Sequence, residues 1–462
     1  MASDLISSLR ARLGEAAVLT GQAIGPRYGV DFSHENACAP LAVLRPGSTD
    51  EVAAILRECH RARQRVVIQG GLTGLAGGAT PQASEIAISL ERLTGIEEID
   101  RAAQTMTVRA GTPLQAVQQA AADAGYLFPL DLGARGSCTI GGNIATNAGG
   151  NQVIRFGMMR NLALGLEAVL ADGTVVSSMN KMLKNNAGYD LKQLFIGTEG
   201  TLGVVTRAVL RLWPKLPSKV TALCALRGLD EAVALLHELQ ARLGGSLSAF
   251  EAMWAPYFHY VLEHLGARSP FATRHAIYVL IEVEGTDHDR DRAEIERVLG
   301  DALEKHTIVD AALAQSERET KSFWAIRDGI GDVTPTLQPL LAFDVSLPID
   351  AMADFLATVD AGFARFPDPV TNLVFGHIGD SNLHLAVTTH RARDLGKLCD
   401  VVYEAVGRHA GSISAEHGVG TLRRDYLHHS RSAAEIEVMR RLKAALDPHG
   451  ILNAARVLPD AP

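Results

Sequence analysis

The sequence predicts an α+β protein of several domains, on three observations. Residues 38–216 alternate short β-like runs with helical ones and hold most of the glycine clusters. From 217 to about 418 the rhythm becomes strand–helix–strand, and the tail, 419–462, is mostly helical. With an N-terminal segment, 1–37, ahead of these, a chain of 462 residues has room for about two to four domains.

The elements follow in order. VVIQGG (66–71) reads as a buried strand ending in a glycine turn, and EIAISL (85–90) and TMTVRAG (105–111) as further strands. From Pro113 to Gly125 the pattern is helical: Pro starts it, Leu114 and Val117 give an apolar face, and Gly stops it. LALGLEAVLADGTVV (162–176) is a hairpin turned at Asp172-Gly173. WPKLPSK (213–219) breaks the pattern with its prolines and marks a boundary. Beyond it, VTALCAL (220–226) precedes a helix from Asp230 to Leu243, and HAIYVLIEVEG (275–285) a charged helix through Asp289–Leu303. LLAFDVSLP (340–348) precedes an amphipathic helix, Ala351–Phe366, and LVFGHIGDSNLHLAV (373–387) reads as a hairpin. Antiparallel sheet with helices on one face is the expected packing. There is no internal repeat and no low-complexity segment.

Composition narrows the function classes. Hydrophobic residues make up 47% and charged residues 21%, near the globular average, so a full core can form. A net charge of −8 does not attract phosphate backbones, and nucleic acid is not an expected partner. No apolar run is long enough to span a bilayer. The N-terminus carries dispersed charge and does not read as a secretory signal. The five cysteines (Cys38, Cys59, Cys138, Cys224, Cys399) are scattered, with no Cys-x-x-Cys. That fits a reducing cytosol, argues against a thiolate zinc site, and gives a cytoplasmic expectation.

Three glycine-rich segments fall in 38–216. Gln69 to Ala79 places five glycines in nine residues after a strand, leaving backbone N–H groups uncovered. Such a loop can nest an anion, with Thr73 adding a hydroxyl, but alone it fits a structural turn equally well. It is neither a G-x-G-x-x-G turn nor a Walker loop. The second segment, Pro129 to Gly150, is rich in small residues that let a backbone lie flat against a large ligand. Ser137, Thr139, Asn143, Thr146 and Asn147 offer hydrogen bonds there without bulk. The third, Phe195 to Val205, opens into a strand. Together they exceed what turns need.

The stretch from His377 to His384 carries the most specific chemistry. If the hairpin closes at Gly379–Asn382, His377 faces His384, close enough for two imidazoles to grip one ion. Ser414-Ala415-Glu416-His417-Gly418 adds a carboxylate and another imidazole, and two His with one carboxylate suit a divalent metal with open positions. The alternative is a pair of core histidines and an unrelated Glu-His, since sixteen histidines make chance pairing common. Arg327 ends a helical turn in Phe323-Trp324-Ala325-Ile326-Arg327. A guanidinium suits a carboxylate, though from these residues alone a surface salt bridge to Asp328 or Asp332 is the simpler account.

These segments resemble the vanillyl-alcohol oxidase / p-cresol methylhydroxylase superfamily over nearly the whole chain. The resemblance is closest to its FAD-dependent D-2-hydroxy-acid dehydrogenases: D-lactate dehydrogenases, the glycolate oxidase flavin subunit and D-2-hydroxyglutarate dehydrogenases. It implies a two-part FAD-binding domain, 38–216, with the helical tail 419–462 returning to it, and an antiparallel-sheet α/β cap, 217–418. It implies that Gly70, Gly71, Thr73, Gly74 and Ser137 hold the FAD pyrophosphate, and that Gly141, Gly142, Asn143, Asn147 and Gly150 line the cofactor. Glu199, Gly203 and Val204 would lie near the adenosine half. Asn453 would belong to the closing segment, where the family's Pro-Gly has become Ala454-Ala455. The first loop has no His or Cys and the second only Cys138, so FAD is expected to be non-covalent and to lie between the FAD domain and the cap.

The G-H-x-G-D-x-N-x-H and E-H-G segments match the metal-dependent members. The resemblance makes His377, His384 and Glu416 metal ligands, His417 the catalytic base and a substrate contact, and Arg327 the grip on the substrate carboxylate. The metal is expected to be zinc, with manganese or iron as alternatives. The expected partners are a small 2-hydroxy acid and an electron acceptor (electron-transfer flavoprotein, quinone or cytochrome), with a homodimer left open. The chain departs from D-2-hydroxyglutarate dehydrogenases at Ala342, where they carry Lys, at Ala386, where they carry Asn, and at Gly331, where a hydroxyl residue is common. A monocarboxylic substrate such as D-lactate is therefore expected. Two other readings stay open: a flavin oxidase of the same fold acting on another alcohol, and a metallohydrolase with structural glycine loops.

Overall fold

The computed structural model describes residues 2–459. The chain divides into two compact units. Unit 1 comprises residues 2–150, 157–215 and 416–459; unit 2 comprises 151–156 and 216–415. Unit 2 starts at 216, one residue before the expected 217, and three larger differences follow. Residues 2–37 join unit 1, 151–156 belong to unit 2, and the return to unit 1 starts at Glu416 rather than at 419. The 151–156 segment is held in unit 2 by Arg155, whose Nη1 donates to the Glu284 carbonyl at 2.9 Å.

Unit 1 opens with β1 (Val18–Leu19), β2 (Ala42–Leu44), β3 (Val66–Gln69) and β4 (Ile86–Ser89), in the order β1-β2-β4-β3. β2, β4 and β3 run parallel. Parallel strands need a crossover, and helix Thr49–Ala62 supplies it. Ser48 caps that helix by accepting the Glu51 N–H. The three strands are almost wholly buried, as their continuous apolar runs require.

Next come β5 (Ile96–Asp100), β6 (Thr105–Arg109), β7 (Tyr126–Leu127), β8 (Ala163–Val169), β9 (Val175–Ser178), β10 (Val204–Arg211) and β11 (Trp213–Pro214). Five of them form an antiparallel sheet, β5-β6-β10-β8-β9, and β7 pairs with β11. The expected hairpin is β8–β9. Asp172 accepts the Thr174 N–H, and Gly173 takes the left-handed conformation (φ 84°) that the turn requires.

The C-terminal residues return to the first sheet. Leu452 bridges Val66 in parallel. Arg456 is fully buried: its Nη2 donates to Glu85 Oε2 at 2.8 Å and to the Thr80 carbonyl at 2.6 Å.

Unit 2 is built on β12 (Ser218–Leu226), β13 (Leu247–Trp254), β14 (Ile277–Gly285), β15 (Asp310–Leu313), β16 (Leu340–Ser346), β17 (Val370–Gly376) and β18 (Asn382–Thr389). Their order is β15-β12-β14-β13-β17-β18-β16, and all pairs are antiparallel. Helices cover both faces, not one. Leu223, Met253, Tyr278, Leu280 and Phe375 share a core with helices Ala255–Leu265 and Glu317–Asp328. The alternate residues Cys224, Phe250, Val279 and Ile281 are buried just as deeply. Side chains of opposite parity point to opposite faces, so a second layer is required. Helices Leu229–Leu243 and His288–Glu304 provide it.

Replacing Arg456 with Met should strand the buried Glu85 carboxylate and cost about 3–5 kcal/mol in denaturant unfolding. Adding Glu85→Gln should recover part of that loss. An unchanged midpoint for Arg456→Met would show that the pair does not hold the tail.

Candidate functional site

In unit 1 the three glycine segments converge on helix Ile140–Thr146. A Cβ at Gly71 would lie 2.1 Å from the Ser137 carbonyl oxygen, and one at Gly70 would lie 2.7 Å from Thr139 Oγ1. Gly142 faces the same Thr139 hydroxyl. Thus Gly70, Gly71, Ser137 and Gly142 come together, and Gly141 packs on Ala110. Thr73 and Gly74 continue the first loop, with Gly74 facing Asp31. From the third segment, Gly197 N–H and Glu199 N–H donate to the Ile144 and Ala145 carbonyls at the end of the helix. Thr139 Oγ1 and Gln69 Oε1 are buried with no hydrogen-bond partner among the described residues. A backbone cradle that tolerates no side chain, lined by polar atoms still able to bond, fits a dinucleotide.

Other expected cofactor residues have work of their own. The Asn453 side chain accepts the Ile68 N–H at 2.8 Å and donates to the Glu199 carbonyl at 2.5 Å. Glu199 accepts the N–H groups of Val419 and Gly420 at 2.6 and 2.9 Å. Burial raises its pKa, with these bonds working against the rise. Asn147 ends its helix in the left-handed conformation and accepts the Arg160 N–H at 2.9 Å. Asn143 is buried within the same helix, Gly150 packs on the Asp131 carbonyl, and Gly203 on the Phe195 ring. Val204, buried, opens β10.

In unit 2 the hairpin forms, but in another register. His384 pairs with Phe375, not with His377. Residues 377–381 make a wider loop: a 3₁₀ turn at Ile378–Asp380, then Ser381 at φ 73°. The Asn382 N–H closes it on the His377 carbonyl at 3.1 Å. The two imidazoles nonetheless meet, with ring centroids 5.4 Å apart and planes at 78°. Each offers a ring nitrogen within 4.8 Å of the other's.

Glu251, at the centre of β13, is the residue sequence reasoning missed. It is 1% exposed. Its Oε1 lies 2.6 Å from His377 Nδ1, and its Oε2 accepts from Arg327 Nε at 2.8 Å. Arg327 Nη2 lies 2.9 Å from His377 Nε2. A carboxylate only accepts and a guanidinium only donates, so Nδ1 carries the imidazole proton and the Nε2 lone pair accepts from Arg327 Nη2. Burial alone would raise the Glu251 pKa; its neighbours His377 and Arg327 outweigh it and hold the carboxyl below the ordinary range. Burial also opposes the charge on Arg327, and Glu251 and Asp328 outweigh it and raise that pKa.

Arg327 is not a surface residue: it is 6% exposed, in the last turn of its helix. Its contact with Asp328 is a long 3.5 Å. The helix is fixed by the Tyr257 hydroxyl on the Arg327 carbonyl (2.5 Å) and by Trp324 Nε1 on Glu282 (2.9 Å). On the adjoining strands, Asn382 Nδ2 donates to Asp344 Oδ1 at 2.7 Å, and His384 Nδ1 lies 3.7 Å from that oxygen. The Ala415 N–H donates to the Asp344 carbonyl at 3.1 Å. Glu416 and His417 are the next two residues of the chain. Ala342 pairs directly with Ala386, two residues along the face that carries His384.

The chain matches the family described as FAD linked oxidases, C-terminal domain, over residues 215–457, and the FAD binding domain over 40–178. A mitochondrial D-2-hydroxyglutarate dehydrogenase of Bos taurus is 42% identical over 433 residues, covering 93% of this chain and 79% of its own. A D-2-hydroxyglutarate dehydrogenase of Xanthomonas citri pv. viticola is 39% identical, covering 100% of this chain and 99% of its own. Among solved structures, p-cresol methylhydroxylase with substrate bound aligns at a TM-score of 0.77 and 16% identity, over 99% of this chain and 97% of that one. That last likeness concerns the fold.

Gly71→Val should give protein that purifies without flavin, because its side chain would collide with the Ser137 carbonyl. A yellow, fully loaded variant would show that the cradle binds something else.

Proposed function

We infer the activity from one premise: the chain belongs to the FAD-linked oxidase family and is an FAD-dependent oxidoreductase acting on CH–OH groups. The substrate is a D-2-hydroxy acid, oxidised to the 2-oxo acid. The observation that carries this is the buried Arg327 guanidinium beside the paired imidazoles of His377 and His384.

Non-covalent FAD, when bound in the unit 1 cradle, supplies the two-electron oxidation. Arg327 has five N–H donors; Nε is taken by Glu251, one Nη2 hydrogen meets His377 and one Nη1 hydrogen meets Asp328, and the remaining Nη hydrogens grip the C1 carboxylate of the acid. His417 takes the hydroxyl proton, a task suited to a neutral imidazole. His377, His384 and Glu416 would hold a divalent metal, zinc first with manganese or iron as alternatives, which would make the substrate hydroxyl more acidic. The lone pair on His377 Nε2, which accepts from Arg327 Nη2 and would pass to the metal, the nearby ring nitrogen of His384, and the place of Glu416 one residue past the Asp344-anchored Ala415 support that donor set. The electrons pass on to an electron-transfer flavoprotein, a quinone or a cytochrome.

The second substituent of the acid is neutral. Ala342 and Ala386 pair where a distal carboxylate would need a cation, and Ala386 belongs to the apolar cluster of Met253, Tyr278, Leu373 and Phe375. Ala342 is exposed and Ala386 buried, and neither alanine offers a cation to a distal carboxylate. D-lactate or a longer apolar homologue fits this face. A second reading, D-2-hydroxyglutarate, is favoured by the names of the relatives.

A panel of D- and L-2-hydroxy acids with an artificial dye acceptor should give the highest kcat/KM for a monocarboxylic D-acid; a maximum at D-2-hydroxyglutarate would establish the second reading. Arg327→Ala should lower kcat/KM about 100-fold by loosening substrate alignment. Chelation should abolish turnover and leave the flavin spectrum intact. Full activity in metal-free enzyme would remove the metal from the account, and peroxide formed stoichiometrically under air would make it an oxidase.

A further inference from the structure

The buried Glu251 carboxylate has two oxygens and two partners, and the partners do different jobs. Oε1 meets His377 Nδ1 at 2.6 Å, and Oε2 accepts from Arg327 Nε at 2.8 Å. Both bonds are charge-assisted or short enough to fix geometry. The residue sits on a central strand, flanked by β14 and β17, so it cannot turn away from either partner. Its place is set two residues before Met253, which pairs with Phe375; the same β17 leads into His377. The Arg327 guanidinium lies over the Phe375 ring, 5.3 Å from its centre, which closes the group on the other side.

We propose that Glu251 is a positioning residue that sets the metal-binding imidazole of His377 and the carboxylate clamp Arg327 with a single side chain. This rests on the roles given to His377 and Arg327 above. By accepting from Nδ1–H, Glu251 selects the tautomer in which Nε2 carries the lone pair, and it fixes the plane of the ring. By accepting from Nε–H, it holds one edge of the guanidinium, with Nη2 against His377 Nε2 at 2.9 Å; a metal on Nε2 would release that Nη2 hydrogen to the substrate carboxylate. The metal ligand and the substrate clamp are thereby kept at one spacing, which a 2-hydroxy acid must match with its hydroxyl and its carboxylate.

The test is Glu251→Gln. The glutamine oxygen can accept from one partner only, and its NH2 then faces the N–H of the other. Flavin content and spectrum should stay as in the wild type, since the cradle lies in unit 1. Zinc affinity, measured by chelator competition, should fall about 10–100-fold. KM for the acid should rise alongside. Should the single variant fail to fold because Arg327 is left buried without its counter-charge, Arg327→Met and the double variant Glu251→Leu/Arg327→Met, which offers His377 no acceptor, replace it. Arg327→Met keeps the Glu251–His377 bond and should retain zinc; the double variant should lose it. A Glu251→Gln enzyme with wild-type zinc affinity and KM, or a double variant that binds zinc as tightly as Arg327→Met, would overturn the proposal. A wild type that binds no zinc, manganese or iron overturns instead the metal reading of His377, while KM still decides the role at Arg327.

Discussion

A carboxylate cannot sit ionised in the middle of a seven-stranded sheet unless cations or donors meet both of its oxygens. That constraint, imposed by Glu251, organises unit 2. Helix Glu317–Asp328 must bring Arg327 to one oxygen, and the loop after β17 must bring His377 to the other. Further bonds secure each delivery: Tyr257 on the Arg327 carbonyl, Trp324 on Glu282, and the Asn382 N–H on the His377 carbonyl. The apolar cluster around Met253, Tyr278 and Phe375 excludes water from the same place. The groups that keep the core satisfied are therefore the groups proposed for chemical roles, and that chemistry would inherit the rigidity of the core.

Unit 1 works under a different constraint, close backbone approach. The loops at 70–74 and 137–142 come nearer than any Cβ permits, and helix Ile140–Thr146 is where the third glycine segment also docks. The tail takes part. Asn453 ties β3 to the Glu199 carbonyl, and the Glu199 carboxylate holds the backbone just after Glu416 and His417. Residues of a cofactor-binding pattern thus also fix the path of the chain through the E-H-G segment.

Much of this was legible in the sequence where periodicity is strong. VVIQ, the Asp172-Gly173 hairpin and the helix after VTALCAL are where the pattern puts them. The glycine segments pointed to a backbone cradle because only glycine tolerates such approach. The failures have physical causes. LSAFEAMW is buried on both faces, so it shows no alternation, and its one charge disguises a central strand. A lone Glu in such a run was nevertheless a signal, since a buried carboxylate requires partners. The hairpin register depended on a left-handed serine, Ser381, that no motif announces. From its local residues alone Arg327 favoured a surface salt bridge, because its buried counter-ion lies 76 positions away. The direction of the Asn453 and Glu199 side chains, toward backbone, is set by tertiary contacts alone.

The proposed reaction is a stereospecific two-electron transfer from a D-2-hydroxy acid to the flavin. Anaerobic mixing of the purified yellow protein with one equivalent of D-lactate or L-lactate tests this without any choice of electron acceptor. The account predicts that the oxidised-flavin absorption band bleaches with the D-acid, with one equivalent of 2-oxo acid formed, and persists with the L-acid. A band that persists with D-lactate and with longer D-2-hydroxy acids alike, or that bleaches equally with both enantiomers, would contradict it.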